Sequence, residues 1–225
     1  YIYDIKSDKV TDVSEELDIK KLNHAVVREM VCDEFGNFWV ATNVGLCCIN
    51  LKDNSYVFYN HDKKDKKSIP HDDIFDLMLS DDLLYVTTGD GLAVYDYKRD
   101  DFTTYLLPDT LTKQDVVKNN GLFDIVEGQD GRYYIGSYSN AIIPDNNCFL
   151  WASTSKGIMK YSLATKDITT YDVDDGLQGN EFTPNAFLRS RDGYIFFGGF
   201  NGFNYFRPEE IGLETRIPKI VITEL

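Results

Sequence analysis

A nine-residue phrase recurs along the chain and constrains the fold more than any single residue does. It reads FWVATNVGL at 38–46, LYVTTGDGL at 84–92, LWASTSKGI at 150–158 and IFFGGFNGF at 195–203. Its turn glycines Gly45 and Gly91 lie 46 residues apart, and Gly157 and Gly202 lie 45 apart. A period of this length accommodates four short strands per unit. The repeat therefore predicts an all-β fold, a β-propeller built of four-stranded antiparallel blades.

Each unit has the same predicted order of strands and turns. An apolar run passes through a polar turn into the repeated phrase, and a glycine turn then leads to a third strand and a short outer strand. We expect no long helix, because no stretch combines helical periodicity with caps. The five successive units predicted in this way span 24–59, 74–105, about 121–139, 140–171 and 182–206.

The repeats also predict the domain boundaries. Residues 1–20 are interpreted as the end of a preceding blade, and residues 21–212 as the propeller blades. The third unit is short, because Trp151 follows its counterpart Tyr134 by only 17 residues. Either half a blade is lost, or the sequence omits a stretch between Ser139 and Asn140. We favour the omission, because half a blade would leave strand edges unpaired within the array.

The net charge of the chain disfavours some classes of partner. The formal net charge of −14 argues against nucleic acid, whose binding depends on clustered Lys and Arg. It also disfavours strongly anionic substrates. We find no signal peptide and no apolar run long enough to cross a bilayer.

The four cysteines, Cys32, Cys47, Cys48 and Cys148, have no metal-type spacing. Cys47 and Cys48 are adjacent on a predicted strand, so their side chains should point to opposite faces, which disfavours joint chelation. We expect small apolar core residues, with a disulfide between Cys32 and Cys47 as the alternative. No metal and no other cofactor is expected.

The predicted topology brings two sets of loops to one end of every blade, which we call the rim. The first set joins the second and third strands, at 42–44, 89–90, 155–156 and 200–201; the second links successive blades, at 23–24, 69–73, 118–120 and 176–182. Their amides, carboxylates, imidazoles and rings suit an uncharged polyhydroxylated ligand. The candidate ligand-binding residues are Asn23, His24, His71, Asp72, Asn119, Asn120, Asn180, Glu181 and Phe182.

Each of these candidates has a structural alternative. Asn and Asp are common in turns because they bond to their own backbone, and the two histidines could simply cap the blade links. The aromatic residues at one repeat position, Trp39, Tyr85, Tyr134, Trp151 and Phe196, are expected to pack between blades. No catalytic residue is predicted, because the local signatures of hydrolases and phosphate loops are missing. The turn at 33–39 resembles the Asp-box of sialidases, which is structural, and its flanking Ser and Thr pattern is incomplete.

The last unit resembles the final repeat of the two-component regulator propeller family. Its matching motifs are DGL at 175–177, NEF at 180–182, DG at 192–193, FGG at 197–199, NG at 201–202 and F-x-P at 206–208. The earlier phrases at 36–42 and 45–46 resemble the ordinary repeat of that family. Residues 213–225 look like the start of its immunoglobulin-like, triple-tyrosine domain.

This resemblance implies a function. Such propellers form the periplasmic region of hybrid two-component sensors in the inner membrane, which detect oligosaccharides and switch on genes for glycan use. It therefore implies an oligosaccharide ligand, a homodimer, no nucleic acid in this segment, and a membrane connection only through parts beyond residue 225. Kinase chemistry is not expected within these residues.

Two other functions remain open from the sequence. One is a protein-interaction propeller whose rim docks a protein and binds no small ligand. The other is a polysaccharide lyase or glycosidase, since a facing pair of carboxylates would suffice for the latter. A pocket with stacked rings and paired polar groups would favour a sugar, whereas a broad, flat apolar patch would favour a protein.

Overall fold

The computed structural model describes residues 1–106, 121–137 and 141–211. Alternating apolar and polar runs between tight turns form antiparallel strands throughout these ranges. The strands are β1 (Ile2–Asp4), β2 (Lys9–Thr11), β3 (Val27–Cys32), β4 (Asn37–Thr42), β5 (Gly45–Asn50), β6 (Ser55–Tyr59), β7 (Ile74–Ser80), β8 (Leu83–Thr88), β9 (Gly91–Asp96), β10 (Asp101–Tyr105), β11 (Asp124–Glu127), β12 (Tyr133–Gly136), β13 (Ala141–Pro144), β14 (Phe149–Thr154), β15 (Gly157–Ser162), β16 (Ile168–Tyr171), β17 (Phe182–Arg189), β18 (Ile195–Gly199) and β19 (Gly202–Phe206).

Among the residues that the structure describes, helix is confined to short pieces. These are α1 (Val13–Glu16) and three 3-10 turns, Leu22–His24, Val173–Asp175 and Pro208–Glu210. Asp12 caps α1 by accepting from the backbone N–H groups of Ser14 and Glu15. Within the three described ranges, no helix has the length and apolar character needed to cross a bilayer.

The strands form blades arranged as a β-propeller, as predicted. Three sheets have four strands in meander order, β3–β6, β7–β10 and β13–β16, and β17–β19 form a three-stranded sheet. The pairs β1–β2 and β11–β12 form two-stranded sheets. The first strands of successive sheets, β3, β7, β11, β13 and β17, contact one another in that order and lie innermost. The blade links and the turns between second and third strands consequently share one end, the rim.

Some predicted boundaries fall outside the described ranges. The short third unit is the β11–β12 sheet, and the junction at Ser139 and Asn140 that would distinguish a lost half blade from an omission is not described. The predicted immunoglobulin-like start at 213–225 is likewise outside. The domain division at residues 20 and 212 stays a prediction.

The core lies between the sheets, where the recurring aromatic position contributes most. Trp39 on β4 is 2% exposed and packs in one cluster with Leu84 and Val86 on β8. Trp151 on β14 packs in the same way with Phe197 of the last sheet. These rings thus bind one blade to the next, as expected for large apolar side chains at a regular repeat position.

The two tryptophans are held by a repeated carboxylate at the hairpin end, opposite the rim. In the turn before β4, Asp33 accepts from Asn37 N at 2.8 Å and from Trp39 Nε1 at 2.9 Å. In the turn before β14, Asp145 accepts from Phe149 N at 3.0 Å and from Trp151 Nε1 at 2.9 Å. A carboxylate six residues before the indole therefore closes the hairpin and satisfies the buried N–H.

Cys47 is buried and Cys48 half-buried in the core, as expected, whereas Cys32 and Cys148 are exposed, so the core prediction is wrong for those two. The alternative prediction of a disulfide is also wrong. All four are free. Cys32 on β3 pairs with Phe38 and Cys47 on β5 pairs with Val40, so β4 separates the two sulfur atoms. Cys47 and Cys48 point into different core clusters, and burial raises the pKa of each thiol to about 12. Such thiols stay protonated and unreactive near neutral pH.

Candidate ligand-binding rim

The turns of the rim are fixed by a glycine and a threonine that recur in three blades. Each glycine has a positive φ, and an added Cβ would lie 2.1–2.7 Å from the carbonyl oxygen at the end of the outer strand. Each threonine hydroxyl donates to the carbonyl oxygen of its glycine at 2.6–3.0 Å. The pairs are Thr42 with Gly45, Thr88 with Gly91 and Thr154 with Gly157. Only glycine fits this close approach, so the rim loops have a fixed position on each blade.

The inner strands carry β-bulges next to the rim. The pairing of β3 with β4 shifts between Val27 and Glu29, and the pairing of β7 with β8 shifts between Ile74 and Asp76. The extra residues are Arg28 and Phe75. A bulge redirects side chains and is common beside binding sites.

The bulged residues and their counterpart on the next blade form a continuous row. The guanidinium carbon of Arg28 lies 4.3 Å from the ring centroid of Phe75, and the Phe75 and Phe123 centroids lie 4.5 Å apart in an edge-to-face arrangement. Arg28 Nη1 donates to Asp73 Oδ1 at 2.6 Å, and Asn185 Nδ2 on β17 donates to the Arg28 carbonyl oxygen at 3.2 Å. We call Arg28, Asp73, Phe75, Phe123 and Asn185 the inner cluster.

Two predicted residues lie in the same link as Asp73 of this cluster. His71 is exposed, and its Nδ1 accepts from Asp73 N at 2.9 Å, so the neutral ring carries its proton on Nε2. Its ring packs against Gly89 of the neighbouring turn, where a Cβ would lie 2.6 Å from Nδ1. Asp72 accepts from His61 N at 2.7 Å and from Asn60 Nδ2 at 3.0 Å, and thereby shapes the link.

The other predicted residues are more dispersed. Asn23 and His24 lie exposed in the 3-10 turn before β3, and Asn180 accepts from Val173 N at 3.0 Å while Glu181 is exposed. Phe182 is 3% exposed and packs edge-to-face with Phe197 at 6.1 Å, so its ring belongs to the core and not to the rim surface. Asn119 and Asn120 lie outside the described residues. Ligand binding by these residues stays a prediction.

Arg28, Phe75 and Phe123 are not among the residues predicted from the sequence. One sequence pattern could have indicated them. Each of the three residues is followed directly by an acidic residue, in Arg28-Glu29, Phe75-Asp76 and Phe123-Asp124. The three segments look like ordinary apolar runs when the bulges are not known. A period-two pattern assigns consecutive residues to opposite faces, whereas a bulge breaks that rule locally.

A cavity separate from the inner cluster lies beside β3, the first inner strand. It has a volume of about 630 Å³ between the β1–β2 hairpin, α1 and the face of the β3–β6 sheet. Its lining is mainly apolar and includes Ile2, Val13, Val40 and Ile49, with Asn23 among the polar residues. This chemistry suits an apolar occupant more than a sugar.

The acidic residues directly after Arg28, Phe75 and Phe123 have raised pKa values. Burial raises the pKa of Glu29, Asp76 and Asp124, the last to about 8. The neighbouring Asp76 carboxyl adds to the increase in the pKa of Asp124, because a nearby negative charge favours the protonated form. No set of three ligating side chains suitable for a metal ion occurs among the residues that the structure describes.

Comparison with known proteins finds solved structures of the same fold. No family model matches the chain. Solved structures with a similar fold include extracellular domains of one- and two-component systems. One, BT4673 of B. thetaiotaomicron, described as a one-component system, has a TM-score of 0.70 and 19% identity over 83% of this chain and 30% of its own. The domain of BT3049, described as a hybrid two-component system of the same organism, has a TM-score of 0.63 and 20% identity over 82% of this chain and 27% of its own.

A curated sequence points to the same group. Histidine kinase P4 of Formosa agariphila is 36% identical over 85 residues, which are 38% of this chain and 6% of that kinase. The chain thus spans a small part of each relative. The resemblance to sensor propellers of two-component systems that the sequence predicted is confirmed at this level.

Proposed function

We propose that this chain is part of the periplasmic sensor module of a hybrid two-component system and that its rim binds an oligosaccharide. The inner cluster is the observation that carries this proposal. It combines two adjacent aromatic rings with a guanidinium, a carboxylate and an amide at the end of the blades where the loops converge. Aromatic rings beside paired polar groups offer both the apolar contacts and the hydrogen bonds that a sugar can use.

The chemistry of the cluster fits a neutral sugar better than an acidic one. The Arg28 guanidinium already pairs with Asp73 at 2.6 Å and with the Ile74 carbonyl oxygen at 2.7 Å, so its charge is largely compensated. The ring faces of Phe75 and Phe123 can pack against the C–H face of a pyranose. Asp73, Asn185 and His71 supply acceptors and donors for hydroxyl groups.

Signalling requires that the ligand favour one arrangement of domains over another. The inner cluster joins residues of β3, the 69–73 link, β7, the segment before β11, and β17, so a ligand there would contact several blades at once. We infer that the resulting change passes through residues 213–225 toward the membrane and that the sensor is a homodimer. Relatives that are extracellular sensor domains support this proposal.

Isothermal titration calorimetry against a panel of neutral oligosaccharides tests the ligand. We expect heat from at least one sugar, and an increase of Kd of about tenfold for Phe75→Ala and Phe123→Ala, because each removes one stacking ring. Tyr56→Ala is the matched control, since Tyr56 is an exposed ring on the outer strand β6. Equal effects of Tyr56→Ala and Phe75→Ala would contradict binding at the inner cluster.

A protein-interaction propeller is the second candidate, favoured by one other surface. On the β17–β19 sheet, Phe203 and Tyr205 are 63% and 61% exposed, and the Phe196 ring lies 5.6 Å from that of Tyr205. This face is a flat apolar patch of the kind that docks proteins. Absence of heat with every sugar, together with binding of a protein that Tyr205→Ser weakens, would favour this function.

A further inference from the structure

Two carboxyl groups, the half-buried Asp76 and the buried Asp124, connect three successive inner strands. The Asp76 Oδ2 atom on β7 accepts from Ile125 N on β11 at 3.0 Å, and Asp124 Oδ2 on β11 accepts from Ile142 N on β13. Asp124 is 4% exposed. Each carboxyl group therefore bonds to a backbone amide of the next sheet, so the pair lies across two interfaces between sheets.

The two carboxyl groups are neighbours, because Asp124 directly precedes Ile125, from whose N–H the Asp76 carboxyl accepts. Two adjacent carboxyl groups can hydrogen-bond to each other only while one of them is protonated, because an ionised carboxylate has no hydrogen to donate. A single shared proton provides that hydrogen and removes one of two adjacent buried charges. The same geometry without the proton would put two negative charges side by side between sheets.

The groups around the pair offer little compensation for a second charge. On β3, Glu29 is a third acid facing Asp76, and the cation Arg28 pairs with Asp73 instead. On β8, the Thr87 hydroxyl accepts from Asp76 N at 2.9 Å. No ion pair involving Asp76 or Asp124 occurs within 1–106, 121–137 and 141–211.

Charged groups farther along the neighbouring strands are engaged elsewhere. Glu127, at the other end of β11, accepts from the Ser80 hydroxyl at 3.3 Å. Arg189 of β17 donates to the Pro144 carbonyl oxygen at 2.9 Å and to Asn146 Oδ1 at 2.6 Å.

We propose that Asp76 and Asp124 form a proton-dependent latch that holds the β7–β10, β11–β12 and β13–β16 sheets together when the pair carries one proton and loosens them when it carries none. This inference goes beyond the proposed function, since it requires no ligand. The β11–β12 sheet depends most on the latch, because it has only two strands and takes part in both hydrogen bonds. Its Ile125 N–H donates to Asp76 on one side, and its Asp124 carboxyl accepts from Ile142 N on the other.

The direction of the pH dependence follows from the pKa values. The pKa of Asp124 is raised from 3.8 to about 8 in the folded protein, and that of Asp76 is also raised. Between these two pH values the folded chain keeps a proton that the unfolded chain has lost. Stability from the latch is therefore complete below about pH 4 and decreases as the pH increases through about 8.

Thermal unfolding between pH 5 and pH 9, without ligand, tests the latch. We expect the Tm of the wild-type chain to decrease by roughly 4–8 °C from pH 6 to pH 9. Asp124→Asn keeps an acceptor for Ile142 N and gives Asp76 a permanent N–H donor, so its Tm should change little over this range and exceed the wild-type Tm at pH 9. Asp53→Asn, at an exposed turn, is the control and should keep the wild-type slope.

Two results would overturn the latch. One is a wild-type Tm that stays constant from pH 5 to pH 9, and the other is an Asp124→Asn slope equal to that of Asp53→Asn. Infrared spectroscopy provides a measurement on the unmodified chain, where a protonated-carboxyl band should disappear near pH 8. Its absence at pH 6 would equally reject the proposal, even if the variants did not fold. None of these results depends on whether a sugar binds.

Discussion

The buried carboxyl groups at the two ends of the blades differ in what they bind, and their proton affinities differ accordingly. At the hairpin end, burial favours protonation of Asp33, but hydrogen bonds from Asn37, Trp39 and Tyr97 outweigh burial and lower its pKa. On the inner strands, Asp124 faces another acid, and its pKa rises to about 8. Burial alone does not determine the charge of an acid; the donors supplied by its neighbours do.

The largest effect is expected when a hairpin carboxylate is removed. Asp145 is 2% exposed and accepts from Asn147 N, Phe149 N and Trp151 Nε1. Asp145→Ala should lower the free energy of unfolding by about 3 kcal/mol, because buried donors lose their acceptor. Urea denaturation measures this change. Asp192→Ala, in the exposed turn of the last sheet, should cost at most about 0.5 kcal/mol, and a similar cost for both would contradict the special role of Asp145.

An intermediate effect tests the contrast in protonation directly. Asp33→Asn keeps one acceptor oxygen but places an N–H donor near Trp39 Nε1 and the Tyr97 hydroxyl, so we expect a loss of about 1–2 kcal/mol at pH 7. Because the folded pKa of Asp33 is lowered, its stabilisation is present above about pH 4 and is lost as the pH decreases through the folded value.

The difference between wild type and Asp33→Asn should therefore shrink from pH 7 to pH 3 in urea denaturation. The Asp124→Asn difference should change between about pH 4 and pH 8 instead. If both variants responded in the same pH range, the two ends of the blades would not differ as described.

The smallest expected effect comes from introducing the carboxylate–tryptophan hydrogen bond of two other hairpins into the last sheet. There Ser190 Oγ accepts from Tyr194 N at 2.9 Å, and Phe196 takes the position of the tryptophans. The double variant Ser190→Asp with Phe196→Trp should be about 1 kcal/mol more stable than the sum of its single variants predicts. A double-mutant cycle in urea measures the coupling free energy between the two substitutions. Strictly additive changes in the free energy of unfolding would show that this hydrogen bond needs more than these two residues.

The repeat predicted much of the fold because strands, turns and blade contacts recur with it. The phrase at 38–46 and its relatives coincide with paired second strands, and Trp39 and Trp151 pack between sheets as expected. The sequence also predicts the hairpin turns. It does not predict the bonds from Asp33 to Trp39, since they depend on how closely the turn approaches the following strand.

The candidate site was harder to predict. Loop position correctly indicated where chain segments converge, but loop residues such as Asp72 mainly bond to their own link. Phe182 was placed among the surface candidates although it starts an inner strand and lies in the core. Arg28 and Phe75 cannot be predicted from composition or periodicity, because neither reveals a one-residue shift in strand pairing.

The inner-strand bulges have a consequence for how such a rim can diversify. A bulged residue shares its cross-strand position with its neighbour, so its side chain can change without altering the rest of the ladder. Within this one chain, the bulged position is already arginine on β3 and phenylalanine on β7. Evolution can thus exchange the groups that face an incoming molecule, blade by blade, while the framework that presents them keeps its hydrogen bonds.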